Sequence, residues 1–93
     1  MKTICIQIGN SDDKLTQAQW AEFVRLVKLH VTRYCRELHF SGASANWEPW
    51  QNASWVFTCD DNAVDDFKVV LTALRKEFKQ NSIAWLEGET RFI

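Results

Sequence analysis

Proline occurs once and glycine three times in the 93 residues. With so few breakers and no repeated short unit, the chain is neither collagen-like nor a low-complexity linker. A basic excess is also lacking: eleven Lys and Arg stand against twelve Asp and Glu, a formal net charge of −1. A surface built to hold duplex DNA or an anionic membrane carries a clear cationic imbalance, so both partners are disfavoured. Long apolar runs are missing as well. The opening Met1-Lys2-Thr3-Ile4-Cys5-Ile6-Gln7-Ile8 meets Gly9-Asn10 after a few apolar residues. That is too short for a signal-peptide core and far too short to cross a bilayer, which predicts a cytoplasmic protein with no membrane partner. Cysteine is scarce and odd in number, with Cys5, Cys35 and Cys59 and no Cys-x-x-Cys pair. A stapled secreted framework is therefore not expected, and reduced thiols are.

What is present is globular material: 46% hydrophobic and 25% charged residues in a length that suits one core, so residues 1–93 form a single domain. Residues 3–8 alternate, with Ile4, Ile6 and Ile8 on one side and Thr3, Cys5 and Gln7 on the other, the period of a strand with one apolar face. Thr16 followed three residues later by Gln19 is a capping box, and Trp20, Phe23, Val24, Val27, Val31 and Tyr34 recur at helical spacing. This predicts a helix over 16–35. Residues 37–40 read as a second, short strand at an edge, and 41–54 as the longest loop. Trp55-Val56-Phe57-Thr58-Cys59 reads as a third strand. Asp60-Asp61-Asn62 then opens a second helix, whose apolar stripe is Val64, Phe67, Leu71, Leu74 and Phe78. A last strand begins at Ile83-Ala84-Trp85-Leu86, is bulged at Glu87-Gly88-Glu89 and resumes over 90–93.

The order β-α-β-β-α-β is the split βαβ pattern, which predicts an α+β ferredoxin-like sandwich: two helices on one face of a four-stranded antiparallel sheet. The opposite face is left uncovered, and what stands on it matters for function. For the third strand both phases are open. Either Trp55, Phe57 and Cys59 line the core, or they stand outward and leave Val56 and Thr58 inside. Trp85 poses the same question on the last strand. Aromatics on such a sheet can stack single-stranded bases. The glycines and basic residue of that signature are absent around Trp55, so nucleic acid is not the expected partner. The same fold can pair sheet to sheet in a dimeric α+β barrel, and a homodimer needs only apolar outward residues.

The loop is the feature folding explains least. Trp47, Pro49, Trp50 and Trp55 lie close together among Asn46, Glu48, Gln51 and Asn52, the mixture of rigid apolar area and hydrogen-bonding groups found at binding hot spots. Catalytic arrangements are weak by comparison. His30 and Cys35 are five apart on a helix and point in different directions. The acidic group Asp60, Asp61, Asp65 and Asp66 fits helix capping and dipole compensation. No ligand spacing suits a metal, and the single glycine of Gly9-Asn10-Ser11-Asp12-Asp13 does not make a phosphate cradle. No cofactor is called for.

The stretch 6–15, which opens Ile6-Gln7-Ile8-Gly9-Asn10, the Pro49-Trp50-Gln51-Asn52 segment and Ser82-Ile83-Ala84-Trp85 resemble parts of small uncharacterised bacterial or phage-borne proteins. The resemblance implies no activity and no site. Size and loop chemistry give the leading expectation: a non-enzymatic protein-binding module, of the kind a phage or mobile element uses to inhibit or adapt a host complex. Asn46, Trp47, Glu48, Trp50, Gln51 and Asn52 are its contact residues. The alternative is a dimeric α+β barrel that binds or transforms a small molecule between sheets lined by Cys5, Gln7, His39 and Trp85.

Overall fold

A computed structural model describes residues 2–45 and 48–93. Strand β1 (Lys2–Gly9) leads through a 3-10 turn at Ser11–Asp13 into helix α1 (Gln17–Tyr34), which passes directly into β2 (Cys35–Ala43). Strand β3 (Asn52–Cys59), a second 3-10 turn (Asp61–Ala63), helix α2 (Val64–Glu77) and β4 (Ala84–Gly88) complete the chain. The strands lie in the order β2-β3-β1-β4, with every neighbouring pair antiparallel. This is the ferredoxin-like α+β sandwich that the element order predicts.

Local chemistry sets the elements. At the start of α1 the Thr16 hydroxyl accepts the Gln19 amide and the Gln19 side chain accepts the Thr16 amide, at 3.2 and 2.8 Å, so the capping box is closed. Asn10 organises the turn before it, accepting the Leu15 amide at 2.9 Å and donating back to the Leu15 carbonyl at 3.0 Å. Helix α2 ends in a Schellman arrangement: the Gln80 amide donates to Arg75 O at 2.9 Å and the Lys79 amide to Lys76 O at 3.1 Å. That closure puts Lys79 at φ 55°, the left-handed position that glycine usually fills. The Gln80 side chain, nearly fully buried, accepts the Ser11 amide at 2.8 Å and donates to Phe78 O at 3.0 Å. It thereby ties the end of α2 to the β1–α1 turn.

The core lies between the helices and one face of the sheet. Ile4, Ile6 and Ile8 of β1 and Trp55, Phe57 and Cys59 of β3 are buried there, opposite Phe23, Val27 and Val31 of α1 and Phe67 and Leu71 of α2. The phase of β3 is therefore aromatics inward. Phe67 is the hub: its ring stacks on Tyr34 at 4.9 Å and meets Phe57 at 5.6 Å and Trp85 edge-on at 5.8 Å. Ring pairs of this kind add about 0.5–1.5 kcal/mol each beyond their area burial.

Three boundaries differ from the sequence expectation. The second strand runs over Cys35–Ala43 rather than 37–40, and β3 begins at Asn52. The loop of 41–54 is thus a hairpin connection over 44–51. Its base is closed where the Ser44 amide donates to Asn52 O at 2.9 Å and the Asn52 amide donates to Ser44 Oγ at 3.1 Å. The last strand takes in Glu87 and Gly88 and stops, so 90–93 is not strand. Beyond Gly88, β1 has no further residue for it to pair with except Lys2, because Thr3 already faces Gly88.

Candidate functional site

Since the helices cover one face of the sheet, the alternate residues of each strand form the other. The antiparallel register lines them up in three rows across all four strands. One row is Phe40, Val56, Cys5 and Leu86, each directly opposite the next. On one side of it lies the row Gly42, Ser54, Gln7 and Ala84, and on the other Glu37, Thr58, Thr3 and Gly88. The middle row is apolar from edge to edge, and its two ends are open to solvent: Phe40 is 58% and Leu86 70% exposed. Glu37 alone among these positions carries a formal charge.

Gly42 shapes the Phe40 end. A methyl group on Gly42 would stand 2.8 Å from the Phe40 Cζ, so the ring lies down along its own strand over the glycine. At the centre, Cys5 Sγ is 3.5 Å from Ser54 Oγ, which donates to the Ile6 carbonyl at 3.0 Å. Near the Leu86 end the Thr3 and Thr90 hydroxyls are hydrogen-bonded, and a hollow of about 330 Å³ lies among Thr3, Cys5, Leu86 and residues 87–90.

The barrel set of Cys5, Gln7, His39 and Trp85 is not brought together. Cys5 and Gln7 do share the uncovered face. Trp85 lies on the helix side: it is paired with Ile6, packed on Phe67, capped by the Lys68 ammonium 5.1 Å from its ring, and donates Nε1–H to Glu87 at 3.1 Å. A large ring one residue away from Leu86 in β4 must take the opposite face, and the core claims it. His39 falls in the β2 bulge between Leu38 and Phe40 and has no opposite residue in β3. Strand β3 separates it from Cys5 by two strand spacings, about 10 Å, too far for a Cys–His dyad. Burial pushes the Cys35 and Cys59 thiols above their ordinary range, and the negative charges near Cys59 add to it. Neither has the lowered pKa of a nucleophile. Among the described residues no group of His, Cys, Asp and Glu could hold a metal ion.

The loop set divides. Asn46 and Trp47 lie outside the described residues. Gln51 is bound into the fold: its amide exchanges hydrogen bonds with Gln17 at 2.8 and 3.3 Å, accepts from Asn10 at 3.1 Å, and its carbonyl accepts the Asn10 amide at 3.0 Å. Asn52 closes the hairpin base through its backbone, and the Glu48 amide donates to Ala45 O at 3.0 Å. Trp50 projects, 61% exposed, beside a residue that is held.

Glu87 links three elements on the helix side. It accepts from Trp85, pairs with Lys68 of α2 at 3.3 Å and with Lys2 at 3.5 Å. The Trp85 hydrogen bond first, then Lys68 and Lys2, hold its carboxyl below the usual range.

No protein-family model and no curated protein matches the sequence. Solved structures do share the fold. A dimeric ferredoxin-like protein of unknown function from Thermobifida fusca YX is similar with a TM-score of 0.64 at 9% identity, over 97% of this chain and 92% of that one. The de novo designed protein Foldit4 is similar with a TM-score of 0.57 at 10% identity, over 97% of this chain and 96% of that one. At these identities the likeness establishes the ferredoxin-like fold. Among the described residues, no helix is long and apolar enough to cross a membrane.

Proposed function

We propose that this protein is a non-enzymatic binding module whose contact surface is the uncovered sheet face, and that the occupant of that face is a second copy of the chain. The row Phe40–Val56–Cys5–Leu86 carries the reading. It is apolar across the whole width of the sheet, its flanking rows are uncharged except for Glu37 at the β2 edge, and it is self-complementary: a two-fold axis in the sheet plane lays one row against another without opposing like charges at its centre. The dimeric state of the Thermobifida fusca protein of the same fold supports a second copy as the occupant.

The size of the face sets the strength. Four strands at about 4.8 Å spacing and about six residues at 3.3 Å rise make a plane of roughly 400 Å² per copy. A standard stable interface contributes roughly 800 Å² of accessible surface per partner, so the expected dimer is weak, with Kd in the micromolar range or above. Light scattering over a concentration series tests it. A mass that climbs from monomer to dimer with concentration is the expected result, and a monomer throughout would overturn the reading.

A second reading keeps a different protein as partner and rests on Trp50, an exposed aromatic beside the anchored Gln51. Ordering cost is low for such a side chain, which is what a hot-spot anchor needs. The partner in that reading is a cytoplasmic complex of the host. Trp50→Ala would abolish capture of that partner while leaving dimerisation through the sheet unchanged.

A further inference from the structure

The three thiols are not equivalent. Cys5 belongs to the uncovered face. Cys35 opens β2 and Cys59 closes β3, and the register sets these two directly opposite each other. Opposed residues of an antiparallel pair point to the same side of the sheet, with Cα atoms about 4.5–5.5 Å apart. A disulfide spans roughly 4.4–6.8 Å between Cα atoms, so the strands already hold the spacing it needs. Both side chains lie on the helix side, Cys59 fully buried and Cys35 half-buried against the same core. Cys59 Sγ is 3.5 Å from the carbonyl oxygen of Tyr34, the residue immediately before Cys35. Neither sulfur is tied elsewhere by a strong bond: Cys35 Sγ lies 3.9 Å from Thr32 O.

We propose that Cys35 and Cys59 are a two-electron oxidation site that closes into a cross-strand disulfide with the backbone in place. The co-reactant is a peroxide. Burial leaves Cys35, the more accessible sulfur, only a small thiolate fraction, so the first step is slow: the sulfur attacks one peroxide oxygen, the O–O bond breaks, the other oxygen takes up the Cys35 proton and leaves as water, and Cys35 becomes a sulfenic acid. The Cys59 sulfur then attacks the Cys35 sulfur, the S–S bond forms, and the sulfenic hydroxyl departs with the Cys59 proton as a second water. Two thiols and one hydrogen peroxide give one disulfide and two waters. The bond closes the chain from 35 to 59 and fixes the end of β2 remote from the hairpin. Strand β2 is an edge strand with two register shifts, and it supplies Phe40 to the uncovered face. Oxidation therefore staples an edge strand of the sheet to its neighbour, whether or not that face dimerises.

The test is hydrogen peroxide added to the folded full chain and to its Cys5→Ser variant, followed by intact mass, non-reducing peptide mapping and a thermal melt. The expected result in both proteins is loss of two hydrogens, a Cys35 peptide joined to a Cys59 peptide, and a rise in Tm of roughly 10 °C that dithiothreitol reverses. Cys59→Ser removes the linkage. The proposal is overturned if both thiols still titrate after excess peroxide, if Cys35 passes to the sulfinic acid with Cys59 free, if the linkage joins different molecules, or if the linked form melts lower than the reduced one.

Discussion

Replacing Leu86 by aspartate separates the fold from the assembly. The side chain is 70% exposed on β4 and touches the uncovered face, while its neighbour Trp85 holds the strand to the core. Full burial of a leucine stabilises by about 2 kcal/mol, so covering the exposed fraction contributes about 1.4 kcal/mol per copy. A two-fold interface counts the residue twice, which makes the loss about 3 kcal/mol, or roughly a hundredfold in Kd. The aspartate adds an unpaired charge that the partner's apolar row cannot satisfy, so the hundredfold is a lower bound. Folding stability should change by less than about 1 kcal/mol, because the site is open in the monomer. Val69→Asp is the matched control, equally apolar and 69% exposed, but on α2. Sedimentation of the three proteins from about 1 μM to about 1 mM, with a melt of each, reads both quantities. The wild type and Val69→Asp should associate with similar Kd, and Leu86→Asp at least about a hundredfold more weakly. Equal association of Leu86→Asp and wild type, or loss of association in Val69→Asp alone, would refute the assignment of the interface to this face.

Other expectations concern the fold that presents the face. Gln80→Ala leaves the Ser11 amide and the Phe78 carbonyl without their partner in a buried place. It should cost about 1–3 kcal/mol in a denaturant titration, and a cost near zero would remove Gln80 as the tie between α2 and the β1–α1 turn. Lys79→Gly relieves a left-handed residue at φ 55°. It should raise stability by up to about 1 kcal/mol, a few degrees in Tm, whereas a loss would mean the Lys79 side chain contributes more than its backbone costs. Glu87→Gln should flatten the acid limb of stability. The native carboxyl titrates below its unfolded value, so its contribution is complete above the unfolded pKa and is lost as pH falls through the lowered native one. Wild type and variant melts from pH 7 down to about pH 3 should converge at the acid end, and parallel curves would deny the carboxylate that role.

Much of the scaffold was legible because its signals are local. The Ile4, Ile6 and Ile8 alternation, the Thr16–Gln19 capping box and the α2 stripe each depend on residues within a few positions of one another, and each is realised. Strand β2 was not legible to its full length. Ser41-Gly42 reads as a break, yet the glycine belongs to the strand and leaves room for the Phe40 ring, and the bulges on either side of Leu38 erase the two-residue period that would have shown Phe40 facing out. Gln80 gave no signal: a polar residue just past a helix reads as a stop, and its burial follows from where the β1–α1 turn lies.

The sequence by itself determined which segments are strands and helices, in what order, and with it the ferredoxin-like topology, because hydrophobic period and capping are written in neighbouring residues. The tertiary structure alone decided which residues meet. The phase of β3, the side taken by Trp85, the row from Phe40 to Leu86 and the opposition of Cys35 to Cys59 are all consequences of strand register. Register is set by the common burial of four separated segments against two helices, a condition that no single stretch of the chain contains.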